Sequence, residues 1–142
     1  MQKITPSGAV ADIAGNGARG TNLFEICFLL LTLVAGFADG LGTAASFDTV
    51  YCLAIDQFLN LYAADRNNHR IRKISQSGVV TSFAGGAMPD FTDGLGPDAR
   101  FNYPEGIVLD PNSGAIFVSD TFNNAIRLIV PCDGGYYVQN VT

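Results

Sequence analysis

An all-β fold assembled from repeated units of four short strands is what this sequence predicts. Two observations carry that expectation. The chain matches itself at a spacing of about 55 residues, and each matching unit is a series of strand signals bounded by turn residues. Composition agrees: 16 Gly and 6 Pro among 142 residues, 48% of them hydrophobic, describe a packed chain with many turns.

The repeat is read by overlaying the chain on itself. Phe37-Ala38-Asp39-Gly40-Leu41-Gly42 recurs as Phe91-Thr92-Asp93-Gly94-Leu95-Gly96, at an offset of 54. Phe47 matches Phe101 and Asp56 matches Asp110 at the same offset. One residue is gained in the next turn, so that Ala64-Asp65 matches Ser119-Asp120 and Ile71-Arg72 matches Ile126-Arg127 at offset 55. A partial copy stands at the front, where Lys3-Ile4, Ser7-Gly8 and Ala14-Gly15 match Lys73-Ile74, Ser77-Gly78 and Ala84-Gly85.

Within the units, β-branched and aromatic runs predict strands over 52–55, 61–64, 70–74 and 79–84, and over 106–109, 115–119, 125–130 and 136–140. Ile71 and Ile74 are three residues apart and face opposite sides of one strand. That fits a sheet covered on both faces, as blades stacked around a channel are. Four strands per unit is the arithmetic of a β-propeller blade. The expected organisation is a partial blade over 1–20, an apolar insertion over 21–36, and blades over 37–86 and 87–142. A ring closes with about four to eight blades, so the chain is expected to be a piece of a propeller or to cover its open edges by self-association.

Asp65 and Asp120 each end a strand and enter a tight turn. Asn68 and Asn123 suit the left-handed backbone of such a turn, and an Arg just beyond can return a charge-assisted hydrogen bond to the aspartate. The segments 61–74 (LYAADRNNHRIRKI) and 116–129 (IFVSDTFNNAIRLI), with 77–85 (SGVVTSFAG) and 101–110 (FNYPEGIVLD), resemble NHL repeats. The resemblance covers most of the chain outside the insertion. It implies a six-bladed propeller when complete and a structural repeat motif of Asp65, Asn68, Arg70, Arg72, Asp120, Asn123 and Arg127. These residues are read as a hairpin staple rather than a ligand set. Two departures stand out: the Arg of the motif is Arg70 in one unit and Ala125 in the other, and Pro104 and Gly106 become Val50 and Cys52. Cysteine resists positive φ, so the turn at this strand entry in the first unit is expected to be built differently or strained.

The insertion carries an apolar run over 26–35, about half the length of a bilayer span. Removing 21–36 joins Arg19-Gly20 to Phe37 and restores the spacing of the repeat. Its ends are compatible with splice signals in the codons of Gly20 and Ala35-Gly36, which gives the hypothesis of a retained in-frame intron. A tryptic peptide reading Gly-Phe-Ala-Asp-Gly after Arg19 marks the spliced form. The N-terminus has no apolar core and does not read as a signal peptide.

No catalytic constellation emerges. The one histidine, His69, lies in the Asn-rich turn and reads as a surface residue. Cys27, Cys52 and Cys132 have no close pairing and read as small buried hydrophobes. Glu105 and Asp120 are the carboxylates conceivable as metal ligands of a lactonase-like propeller, whereas a lyase-like zinc site needs several histidines and the chain has one. No cofactor is implied. Arg70, Arg72 and Lys73 cluster, and read as a solvated strand edge. A net charge of −5 gives little purchase on phosphates. The reading is therefore a non-catalytic interaction scaffold for a protein or peptide partner. The alternatives are a fragment of a propeller enzyme and an RNA-binding propeller.

Overall fold

A computed structural model describes the backbone of residues 2–4 and 10–12 and the whole of residues 35–141. The insertion up to residue 34, Cys27 and most of the front copy lie outside the described residues. Gln2–Ile4 (β1) pairs antiparallel with Val10–Asp12 (β2).

From Gly40 onward the strand patterns become two sheets of the same design. The first joins Gly40–Leu41 (β3), Val50–Ile55 (β4), Leu61–Asp65 (β5), Arg70–Ile74 (β6) and Val79–Gly85 (β7) in the order β3-β7-β6-β5-β4. The second joins Gly94–Leu95 (β8), Pro104–Leu109 (β9), Ile116–Asp120 (β10), Ala125–Cys132 (β11) and Gly135–Asn140 (β12) in the order β8-β12-β11-β10-β9. All pairings are antiparallel, which short connecting turns permit. Each sheet is thus four consecutive strands plus a two-residue outer strand, the form of a propeller blade.

The blades pack face to face. Tyr62, Ile71, Phe83 and Ala84 of the first meet Phe101, Ile107, Ile116, Val118, Ile129 and Val138 of the second in one core. Ala45, Phe47, Val50, Ala63, Ile74 and Val80 form a separate cluster on the other face of the first blade. Ile71 and Ile74 therefore do face opposite sides. A register shift between Ile71 and Arg72 accompanies this.

The starts of β4 and β9 correct the expected glycine requirement. Gly106 does not adopt positive φ; the left-handed residues are Tyr103 (φ 53°) and, in the first blade, Thr49 (φ 59°). What Gly106 supplies is room, because a Cβ there would stand 2.7 Å from Ser119 Oγ. Its N–H donates to that oxygen at 2.6 Å. In the first blade the matching pair is Cys52 and Ala64, and with no hydroxyl to clear, a side chain fits. The two blades solve one packing problem in alternative ways. The cysteines correct a second expectation: Cys132 is exposed and Cys52 only half-buried, its thiol 3.8 Å from the Ile107 carbonyl oxygen.

Candidate functional site

The turns between the second and third strands of each blade are built by one network, present twice. Asp65 Oδ1 accepts from the Asp48 N–H at 2.8 Å, while Oδ2 accepts from Asn68 Nδ2 at 2.9 Å and Arg72 Nη1 at 2.7 Å. Asp120 does the same with the Asn102 N–H (2.6 Å), Asn123 Nδ2 (2.8 Å) and Arg127 Nη1 (3.1 Å). Each Arg reaches on to the outer loop. Arg72 Nη2 donates to the Ala38 carbonyl and Asp39 Oδ1, both at 2.7 Å, and Arg127 Nη2 donates to the Thr92 carbonyl and Asp93 Oδ1.

Both guanidinium groups are fully buried and stacked between rings. Arg72 lies 4.8 Å from the Phe37 centroid and 4.9 Å from Phe47; Arg127 lies 4.5 Å from Phe91 and 5.4 Å from Phe101. Their Nε atoms have no hydrogen-bond acceptor among the described residues, so ring faces are what cover them. Burial pushes the Asp65 carboxyl up, with Asn68, the Asp48 amide and Arg72 opposing it. Asn68 and Asn123 also donate outward, to the carbonyls of Gly36 and Asp90. Gly36 therefore occupies the Asp90 position of the repeat.

Three expectations change. Arg72, expected on a solvated edge, is buried. Arg70 lies outside the carboxylate network and stacks on Phe37 at 3.8 Å; the arginine that closes the network is Arg72 or Arg127, so Ala125 costs the second blade nothing there. The left-handed residues are His69 (φ 54°) and Asn124 (φ 51°), one beyond the asparagines expected to take that backbone. Asn68 and Asn123 serve through their side chains instead.

His69 is also not a surface residue. It is buried, and its Nδ1 accepts the Tyr103 N–H at 3.2 Å, with the two rings edge to face. Burial, joined by Arg66 and Arg70, holds its pKa below the ordinary value against the pull of Asp120. A base depressed on folding contributes stability that is full above about pH 6.5 and is lost as pH falls through the folded value. Protonation also turns Nδ1 into a donor facing the Tyr103 N–H. The urea midpoint should fall between about pH 7 and about pH 5.5, and His69→Asn, which copies Asn124, should flatten that decline.

On these two turns stands a face that repeat matching did not single out. Arg66 Nε pairs with Glu105 at 2.7 Å across the blade junction. Its guanidinium lies 4.7 Å from the Tyr103 ring, 5.7 Å from Phe122 and 5.9 Å from Tyr51. Tyr103 and Phe122 stack at 4.6 Å. Tyr51 and Phe122 remain more than half exposed. The matching positions differ in kind: Tyr51 stands for Glu105, Thr49 for Tyr103, Arg66 for Thr121 and Asn67 for Phe122. Divergence between the units, at positions flanking an invariant staple, is the signal that could have found this face.

The carboxylates weighed as metal ligands are otherwise engaged, Glu105 with Arg66 and Asp120 with Arg127. Among the described residues no group of three or more His, Cys, Asp or Glu side chains could hold a metal ion.

No family model matches the chain. It is 30% identical to NHL repeat-containing protein 2 of Bos taurus over 125 residues, which are 86% of this chain and 16% of that protein. Among solved structures, a Bacteroides thetaiotaomicron protein of unknown function superposes with a TM-score of 0.68 at 25% identity, over 97% of this chain and 30% of that one. An auxiliary nutrient binding protein from the same organism superposes at 0.61 and 26% identity, over 79% of this chain and 28% of that one. The chain thus spans less than a third of each.

Proposed function

Since the chain belongs to the NHL-repeat β-propeller family, we propose that it is a non-catalytic interaction scaffold that binds a protein or peptide partner through the face formed by Tyr51, Arg66, Tyr103, Glu105 and Phe122. The observation that carries this reading is the exposed aromatic group organised around one arginine and held by two buried staples. Tyr and Arg at such a spot are the residue types that dominate interface energetics, and a rigid backbone beneath them lowers the ordering cost of binding. A solved structural neighbour described as an auxiliary nutrient binding protein is compatible with a binding role for this type of fold.

RNA is the alternative occupant, because stacked rings with an arginine also suit bases. Glu105 neutralises that arginine, and the net charge of −5 disfavours a phosphate backbone. Peptides selected from a display library on the immobilised chain test the reading. They should lose at least about tenfold in affinity on Phe122→Ala or Tyr51→Ala. Selected peptides that bind both variants as well as the parent chain, or a uridine-rich RNA oligonucleotide that binds more tightly than any of them at physiological salt, would sink it.

A further inference from the structure

Lys73 breaks the repeat where the repeat is half-buried. Its counterpart in the second blade is Leu128. Lys73 pairs across β5 and β6 with Tyr62 and so lies on the face that meets the second blade. A half-buried lysine packs its stem on apolar surface and leaves its ammonium free for water or a partner. Among the described residues none makes an ion pair or hydrogen bond with it. Its ammonium stands 5.6 Å from the Tyr62 ring centroid.

The ammonium borders a cavity of about 290 Å³ between the blades, at the end of the strands opposite the aromatic face, lined by Asp56, Tyr62, Lys73, Leu109, Pro111 and Tyr136 among others. Asp56, in the same lining, makes no ion pair with it. Oδ1 accepts the N–H groups of Phe58 (2.9 Å) and Asn60 (2.8 Å), and Oδ2 accepts Asn60 Nδ2 (2.8 Å) and the Tyr62 hydroxyl (3.3 Å). Burial alone would raise that carboxyl, but these four bonds outweigh it and hold its pKa below the usual range. The carboxylate is committed to its own turn. The Tyr136 ring packs on Phe83 at 4.4 Å, close enough to Tyr62 for the two phenols to influence each other. Its hydroxyl has no partner among the described residues.

We propose that this cavity binds a small monocarboxylate with a flat apolar body, its carboxylate taken by the Lys73 ammonium and the Tyr136 hydroxyl and its body covered by Leu109 and Pro111. The lining holds one cation, Lys73, and the ionised Asp56 carboxylate, so no more than a monoanion suits it; a phosphate dianion is usually met by several donors or backbone N–H groups. Leu109, Pro111 and the Tyr136 ring call for a flat apolar body. The volume, at the low end for ligand sites, limits that body to about one ring.

Benzoate titrated into the full chain and followed by amide NMR shifts tests this. Saturable shifts should cluster around 56–62, Lys73, Leu109 and Tyr136. Lys73→Leu, which installs the residue the second blade already carries, should weaken binding at least about tenfold with an unchanged urea midpoint, and Tyr136→Phe should weaken it less. N-acetyl-Gly-Phe distinguishes the source of the acid. Displacement of benzoate at lower concentration assigns the carboxylate to a peptide C-terminus, and at higher concentration to a free acid. Equal binding of benzamide, unchanged binding by Lys73→Leu, or no saturable shift with either acid would overturn the proposal.

Discussion

Arg72→Ala is expected to lower stability by about 3–5 kcal/mol, the cost of stranding a buried charge. Arg72 and Asp65 have no exposed side-chain surface, and the guanidinium also serves the carbonyls of Ser46 and Ala38 and the Asp39 carboxylate. Removing it leaves the Asp65 carboxylate with only Asn68 and the Asp48 N–H, and leaves Phe37 and Phe47 without the group between them. Arg127→Ala should act alike in the second blade, where Asp120, Thr92, Asp93 and Arg100 lose the same partner. Arg72→Lys should recover less than half the loss, since one ammonium cannot serve four acceptors spread around a planar fork. Arg70→Ala, two residues away, removes a stacked cation from one ring and should cost no more than about 1 kcal/mol. Urea unfolding of the four variants decides the matter. Equal losses at Arg70 and Arg72 would mean that the buried network does not organise the turn.

The same contrast marks what a sequence can disclose. Asp65 and Asp120, Asn68 and Asn123, and Arg72 and Arg127 recur in register because each blade solves one problem: a strand end whose backbone groups must be satisfied where water is excluded. Recurrence made them visible, together with Phe37, Phe47, Phe91 and Phe101, whose task of stacking on the arginines only the three-dimensional fold discloses. The family resemblance also pointed to Arg70, which does not recur, because a motif says which residue types follow an aspartate and not which of two arginines reaches it. Arg70 and Arg72 share a face by simple alternation, and both stack on Phe37; they differ in depth, Arg72 being fully buried and Arg70, the first residue of the strand, only half-buried.

The aromatic face and the Lys73 cavity were hidden for the opposite reason. Tyr51, Tyr103, Arg66, Glu105 and Phe122 come from different strands and turns of two blades and meet only because β4 and β9 lie side by side. His69 reads as a surface residue because its turn is polar, yet the second blade covers it through Tyr103. Neighbour-blade contacts carry no local periodicity, so burial contributed by them is illegible in one strand's pattern.

Tyr62→Ala and Phe117→Ala, changes at one position of the repeat, are expected to differ by about 3 kcal/mol in their cost. Tyr62 is 4% exposed, stacked edge-on against Phe83 at 5.0 Å and roofed by the second blade. Phe117 occupies the same place on the second blade, pairs across its sheet with Val108 and Leu128, and is 39% exposed. Val108, Ile126 and Tyr137 lie beside it, each more than a third exposed. Truncating Tyr62 opens a cavity in a closed core, at about 3–5 kcal/mol for a large ring; truncating Phe117 mostly removes surface already wet, at about 1 kcal/mol or less. The face that the second blade covers on the first is therefore uncovered on the second, and an apolar sheet face of that kind drives association. The chain by itself should sediment with a mass that rises with concentration, and Phe117→Asp should hold it monomeric without moving its urea midpoint. A parent chain that stays monomeric at all concentrations, or a Phe117→Ala variant as destabilised as Tyr62→Ala, would show that this face is already covered within the chain.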